Sequence, residues 1–142
     1  MHRIWSSCFF LFLPALPLSA QTPRADSLSR ELMRAKEDTN KVVLLNELSR
    51  EYSGISPAKA IVYADQANTL ADRLKYSSGQ VNALIRLSDA YWAQDEHAAA
   101  IEFASRALAL REKRQDSLGM AASLNNLGIF YRKIGKYEKA LN

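Results

Sequence analysis

One cysteine, Cys8, and two histidines, His2 and His97, are all that the 142-residue sequence offers in thiol and imidazole. A single thiol builds neither an internal disulfide nor a thiolate zinc site. No His-Glu-x-x-His, Gly-x-Ser-x-Gly, Gly-x-x-x-x-Gly-Lys-Ser/Thr or Gly-x-Gly-x-x-Gly occurs anywhere, which removes the usual zinc-peptidase, serine-hydrolase and nucleotide-binding chemistries from this stretch. His97 stands alone at the start of a helical segment, where an imidazole packed at a helix junction is the simpler reading than a ligand or a base. Blocks of one charge are also missing. The 19 basic and 15 acidic residues give +4, but the signs alternate, so the basic balance is a weak argument for nucleic acid or membrane binding. The sequence therefore reads as a non-enzyme, with no catalytic, metal or cofactor site. At 48% hydrophobic and 24% charged residues it has the balance of a globular or repeat protein.

The front of the chain differs from the rest. Met1-His2-Arg3 is basic, Ile4 to Leu18 (IWSSCFFLFLPALPL) is an uncharged apolar run, and Leu18-Ser19-Ala20 precedes Gln21. That is the anatomy of a secretory signal peptide over residues 1–20. The run falls short of the roughly 20 residues that span a bilayer as a helix, and Pro14 and Pro17 interrupt it. Cys8 lies inside the run rather than after it, which argues against a lipoprotein. Cleavage would remove Cys8 and Arg3 and leave 18 basic against 15 acidic residues. Export without disulfides fits the periplasmic or extracytoplasmic side of a bacterial envelope.

Behind this segment the sequence repeats. Leu48-Ser49-x-x-Tyr52, Leu87-Ser88-x-x-Tyr91 and Leu127-Gly128-x-x-Tyr131 recur 39 and 40 residues apart. After each step comes a turn, and then small residues. Ala60, Ala64 and Ala67 follow the first, and Ala100, Ala104 and Ala107 the second, thin enough to let two helices cross closely. Leu84, Leu87 and Tyr91 at i, i+3, i+7 form the facing stripe, and Leu70 and Leu108 should pack toward the next repeat. Ser56-Pro57 reads as a helix start and Gly135 as a left-handed stop. The pattern predicts a leader helix at about 26–37 and helices at about 39–53, 57–75, 79–94, 97–114 and 118–134. A last helix begins at 137. No strand is expected.

These residues resemble the tetratricopeptide repeats, whose helix-turn-helix units carry Leu-Gly-x-x-Tyr on the first helix and alanines on the second. The third unit, from Ala121, matches most closely; the first has Ser49 for the glycine. The resemblance implies an all-α fold, a right-handed α-solenoid of antiparallel helix pairs. A leader or capping helix would occupy 21–38 and the array 39–142, in units of about 42–80, 81–120 and an incomplete 121–142. The long period, a signal peptide and "DTNKVVLLNELS" also resemble extracytoplasmic repeat arrays at the front of bacterial signalling proteins. Their output modules are histidine kinases, nucleotide cyclases or DNA-binding domains. A stand-alone envelope scaffold without an output domain is the alternative.

In this family ligands lie on the face lined by the first helices. Here that face should carry Asn46, Arg50, Asn82, Arg86, Asp89, Trp92, Asn125, Asn126, Arg132 and Lys133. Asparagines can read a peptide backbone through donor and acceptor together, and arginines can take a carboxylate at two points. A protein or peptide is the expected partner, and for any one of these residues a merely solvated position is the simpler reading. The lysine-rich carboxylate clamp of chaperone-binding members is not matched. The helix from 118 also offers Leu124, Leu127, Phe130, Tyr131 and Ile134 to a partner helix, of which only Tyr137 to Asn142 is present. Six residues are too few for a stable helix, so the expectation is that the sequence is the front of a longer array.

Overall fold

The fold follows from where this sequence supplies acceptors for free first-turn N–H groups and where it lets the chain turn left-handed. In a computed structural model describing residues 22–135, six helices result: α1 Pro23–Arg34, α2 Thr39–Tyr52, α3 Pro57–Arg73, α4 Ser77–Ala93, α5 His97–Lys113 and α6 Ser117–Lys133. The segment read as a signal peptide and the last helix expected from 137, with Tyr137 and Ala140, lie outside the described residues. Thr22 accepts from the Ala25 N–H at 3.1 Å, Asp38 from Asn40 at 2.9 Å, and Asp116 from Gly119 at 2.9 Å. Such caps are worth about 1 kcal/mol each. The leader helix thus starts three residues earlier than expected and stops at Arg34 rather than 37. Thr22 caps it with Pro23 in the first turn, while Ala35 is extended and Asp38 already caps α2.

From α3 onward the chain keeps a half-repeat of twenty residues. The four helices of 17 residues begin at 57, 77, 97 and 117. Lys75, Asp95 and Gln115 follow the first three with φ of 56°, 61° and 55°, and Gly135 follows the last at 76°. Tyr76, Glu96 and Asp116 then donate back to the Ala71, Tyr91 and Arg111 carbonyls at 2.8, 3.0 and 3.0 Å. These are the closing bonds of the Schellman helix end, which satisfies carbonyls the helix itself cannot.

Each helix packs on its successor, and α2 also meets α4. Among the described residues there is no strand, and the arrangement is an α-solenoid of stacked hairpins. Ala60, Ala64, Ala67, Ala100, Ala104 and Ala107 are all buried, as the small-residue seam requires. Leu70 reaches the next repeat as expected, clustering with Val42, Leu45 and Ala83. Leu84 and Leu87 close a second seam with Ala64 and Ala107. Burying each such leucine contributes about 1.5–3 kcal/mol. Ser49 and Ser88, standing where the repeat has glycine, donate across the hairpin to the Ala60 and Ala100 carbonyls, both at 2.8 Å. Helix α1 covers the start of the array. Its Ala25 is buried with Leu48 and Tyr52, and Arg24 pairs with Glu47 at 2.8 Å and Glu51 at 3.1 Å.

Candidate partner-binding face

Helices α2, α4 and α6 are the first helices of the three units, and the ten residues named from the sequence all lie on them. Their neighbours separate them into two groups. One group is occupied in joining repeats. Asn46 donates its amide N–H to the Gly79 carbonyl at 3.2 Å, tying α2 to the first turn of α4. That approach needs a glycine, because a Cβ at Gly79 would stand 2.4 Å from the Tyr76 ring and 2.7 Å from Val42. The same place forty residues on is Gly119, whose carbonyl accepts from Arg111 Nη1 at 2.6 Å, while Ser123 Oγ accepts from the same nitrogen at 2.8 Å.

Trp92 belongs to this group as well. One ring face is stacked on Phe130 of α6 at 4.2 Å and 6°, and His97 lies 4.2 Å from it at 31°. The Lys133 ammonium sits 5.7 Å from the same ring. Stacking of this kind adds about 0.5–1.5 kcal/mol per aromatic pair beyond the area buried. His97 is thus a junction residue, with Nδ1 buried and unpaired among the described residues. Trp92 packs on the following unit, rather than standing free for a ligand.

The other group faces outward. Arg50, Asn82, Asn125, Asn126, Arg132 and Lys133 are exposed, and Arg86 and Asp89 are half-buried. Arg50 pairs with Glu47 in the same helix, and Arg86 lies 3.5 Å from Asp89. Glu47 and Arg86 occupy equivalent repeat positions, as do Arg50 and Asp89, so acid and base exchange places between units. On α2 and α4 this face therefore offers alternating charge, and on α6 Arg132 and Lys133 add two cations. Burial pushes the Asp89 carboxyl above its ordinary value, and the Arg86 guanidinium only partly opposes that. Beside Asp89 a narrow crevice of about 10 Å³ runs to Asn126 and Phe130, over Ile85 and Ser88. It is wide enough for about one water. No Cα of α4 comes within 8 Å of one in α6, so the rings of Trp92 and Phe130 bridge a gap that backbone contact closes between α2 and α4.

The linking residues that sequence reasoning missed are Gly79, Gly119 and Arg111, while Phe130, expected to face a partner helix, stacks on Trp92 of the preceding unit. The two glycines, 40 apart within a 40-residue period, were a readable signal. Arg111, standing where the previous repeat has the buried Ala71, gave none. Among the described residues no three His, Cys, Asp or Glu side chains come together to hold a metal ion, and no helix is long and apolar enough to cross a membrane.

Stacked antiparallel hairpins with alanine seams and polar first-helix faces define a repeat solenoid of the kind that binds other proteins. Residues 79–142 match the family model for the tetratricopeptide repeat. That repeat is a protein–protein interaction module. No curated protein matches the chain.

Proposed function

We propose that this protein is an exported interaction module whose first-helix face, from Arg50 through Asn82 and Asp89 to Asn126, binds a protein or peptide partner. It serves as the extracytoplasmic input region of a bacterial signalling protein. The observation that carries the binding reading is the row of exposed amides and half-buried charges beside the α4–α6 crevice. Asn126 lines that crevice with Asp89, and Asn82 is exposed on the helix that carries the Arg86–Asp89 pair, so amides able to read a peptide backbone share the face with charges that partly oppose one another. The repeat family supports a protein partner. Residues 1–20, basic and then apolar, support export, and the sequence resemblance supports the signalling role.

The binding test places a photo-crosslinking residue at Asn126 or Asn82, and at the exposed Val62 of α3 as control. Partner adducts from positions 82 and 126, absent from 62, support this face. Adducts from 62 alone refute it. Export is tested by the intact mass of the chain recovered from the envelope fraction, where a mass retaining Cys8 refutes cleavage.

A further inference from the structure

Two clefts occupy the same place in successive repeats. The first, between α2 and α3, has a volume of about 330 Å³ and a floor of Leu45 and Leu70. The second, between α4 and α5, has a volume of about 330 Å³ and a floor of Leu84 and Leu110. Lys41, Gln66 and Arg73 on the rim of the first correspond to Gln80, Arg106 and Lys113 on the second, each 39 or 40 residues on. Past Lys113 the second cleft continues into a hollow of about 400 Å³ beside the α3–α4 turn, where Lys75 and Arg114 stand.

The charges of the two clefts differ. In the first, Glu37 from the α1–α2 connection pairs with Arg73 and lies 3.9 Å from Lys41. Asp65 lines the same cleft, so two cations meet two carboxylates. In the second, the residue 39 beyond Glu37 is Tyr76, which packs on the core cluster of Val42 and Leu45 instead. Lys75, Arg106, Lys113 and Arg114 are exposed there, and none has an ion pair among the described residues. Asp72 is the one lining carboxylate, and it accepts a hydrogen bond from Gln80 at 3.4 Å.

We infer that the α4–α5 cleft takes an acidic, partly apolar peptide segment of a partner protein, with glutamate or aspartate side chains standing where Glu37 stands in the first cleft. The chain's own Glu37 shows the occupant. It is a carboxylate carried at a bend of the α1–α2 connection over a leucine floor, held by a cation at the end of the second helix. Four cations without an ion pair, of which Arg106 lies over the Phe103 ring at 5.2 Å, beside a leucine floor favour a peptide that offers both carboxylates and apolar side chains, whereas a nucleic acid would leave the floor unused. This surface shares no residue with the first-helix face, so it would engage a second partner or a second segment of the same one.

The test is fluorescence anisotropy on the purified full chain with a short labelled peptide alternating glutamate and leucine. Its glutamine counterpart and single-stranded poly-uridine serve as competing probes. The acidic peptide should bind, and more weakly as salt rises. Arg106→Glu with Lys113→Glu should weaken it about tenfold or more, two lost attractions becoming two repulsions. Lys113→Gln alone, at an exposed position, should weaken it in the same direction. Arg34→Glu with Lys36→Glu, the same charge change on exposed parts of the leader, should leave affinity within about twofold. Glu37→Gln, which frees Arg73 and Lys41, should add a second, weaker site. Equal binding of the glutamine peptide, tighter binding of poly-uridine, or unchanged affinity in both cleft variants would overturn the inference.

Discussion

Placing glycine at position 88, where the third unit has Gly128, should destabilise this protein. Ser88 is 3% exposed, and its hydroxyl donates to the Ala100 carbonyl at 2.8 Å across the α4–α5 seam. Removing the hydroxyl loses a buried hydrogen bond worth about 1 kcal/mol net. Glycine in a helix interior then costs about 1 kcal/mol more relative to alanine. Ser88→Gly should therefore lose about 2 kcal/mol, less what serine's own poorer helix propensity returns. Ser88→Ala loses the hydrogen bond but gains helix propensity, so its deficit should be about 0.5 kcal/mol. The predicted order is wild type, alanine, glycine, read from urea midpoints at a shared slope, with far-ultraviolet circular dichroism as signal. Ser49, bonded to Ala60 in the same way, should give the same order with a similar spacing. A glycine variant as stable as wild type would show that the hydroxyl bond contributes nothing and that the hairpins approach as closely without it.

Leu87→Asp should cost several kcal/mol, because Leu87 is 1% exposed and an unpaired carboxylate would enter the seam, while Arg86→Asp should cost well under 1 kcal/mol. Equal urea shifts would refute the face assignment. Asp89→Asn should stabilise at neutral pH: burial raises the folded carboxyl above its unfolded value, so the folded state holds the proton more tightly. The charged form's penalty applies above the raised folded value and is relieved as pH falls toward the unfolded one. The advantage of asparagine should shrink on acidification, and a constant advantage would refute the assignment. Gln115→Gly should raise stability by about 1 kcal/mol, since Gln115 holds φ at 55°. Gly135→Ala, at φ 76°, should lower it comparably. Thermal midpoints moving in the same direction for both would contradict the helix-end geometry.

The helices were legible because their signals are local and doubled by the repeat. Leu48, Leu87 and Leu127 with their tyrosines mark the first helices, and the alanine triplets mark the second; all three leucines and both triplets are buried. The expected stops at about 75, 94, 114 and 134 fall within two residues of the observed ends, but only Gly135 advertised a left-handed residue. Lys75, Asp95 and Gln115 adopt the same left-handed conformation without the residue that advertises it. There the Schellman bonds, not the side chain, impose the backbone, so the twenty-residue half-period emerges only in three dimensions. The leader helix was shifted for a related reason. Thr22 and Pro23 are a start signal just behind the segment read as a signal peptide, and Asp38 serves α2 rather than ending α1.

The partner face was less legible because one helix position meets different neighbours in different repeats. Ala90 and Phe130 stand 40 residues apart at the same place on α4 and α6. Ala90 is buried in a cluster with Leu48 and Tyr52 of α2, and its small side chain lets α4 settle on α2 closely enough for Asn46 to reach the Gly79 carbonyl. Phe130 cannot be accommodated in that way. It stacks on Trp92 at 4.2 Å, the two rings filling the space between α4 and α6, whose backbones stay apart. Two residues that the sequence assigned to one face, Asn46 and Trp92, are thereby committed to two different kinds of repeat junction, one closed by backbone and one propped by rings. The propped junction is where the crevice beside Asp89 and Asn126 lies. Its width follows from two differences between repeats, Phe130 for Ala90 and Trp92 for Ser53, which periodicity averages away and only the packing reveals.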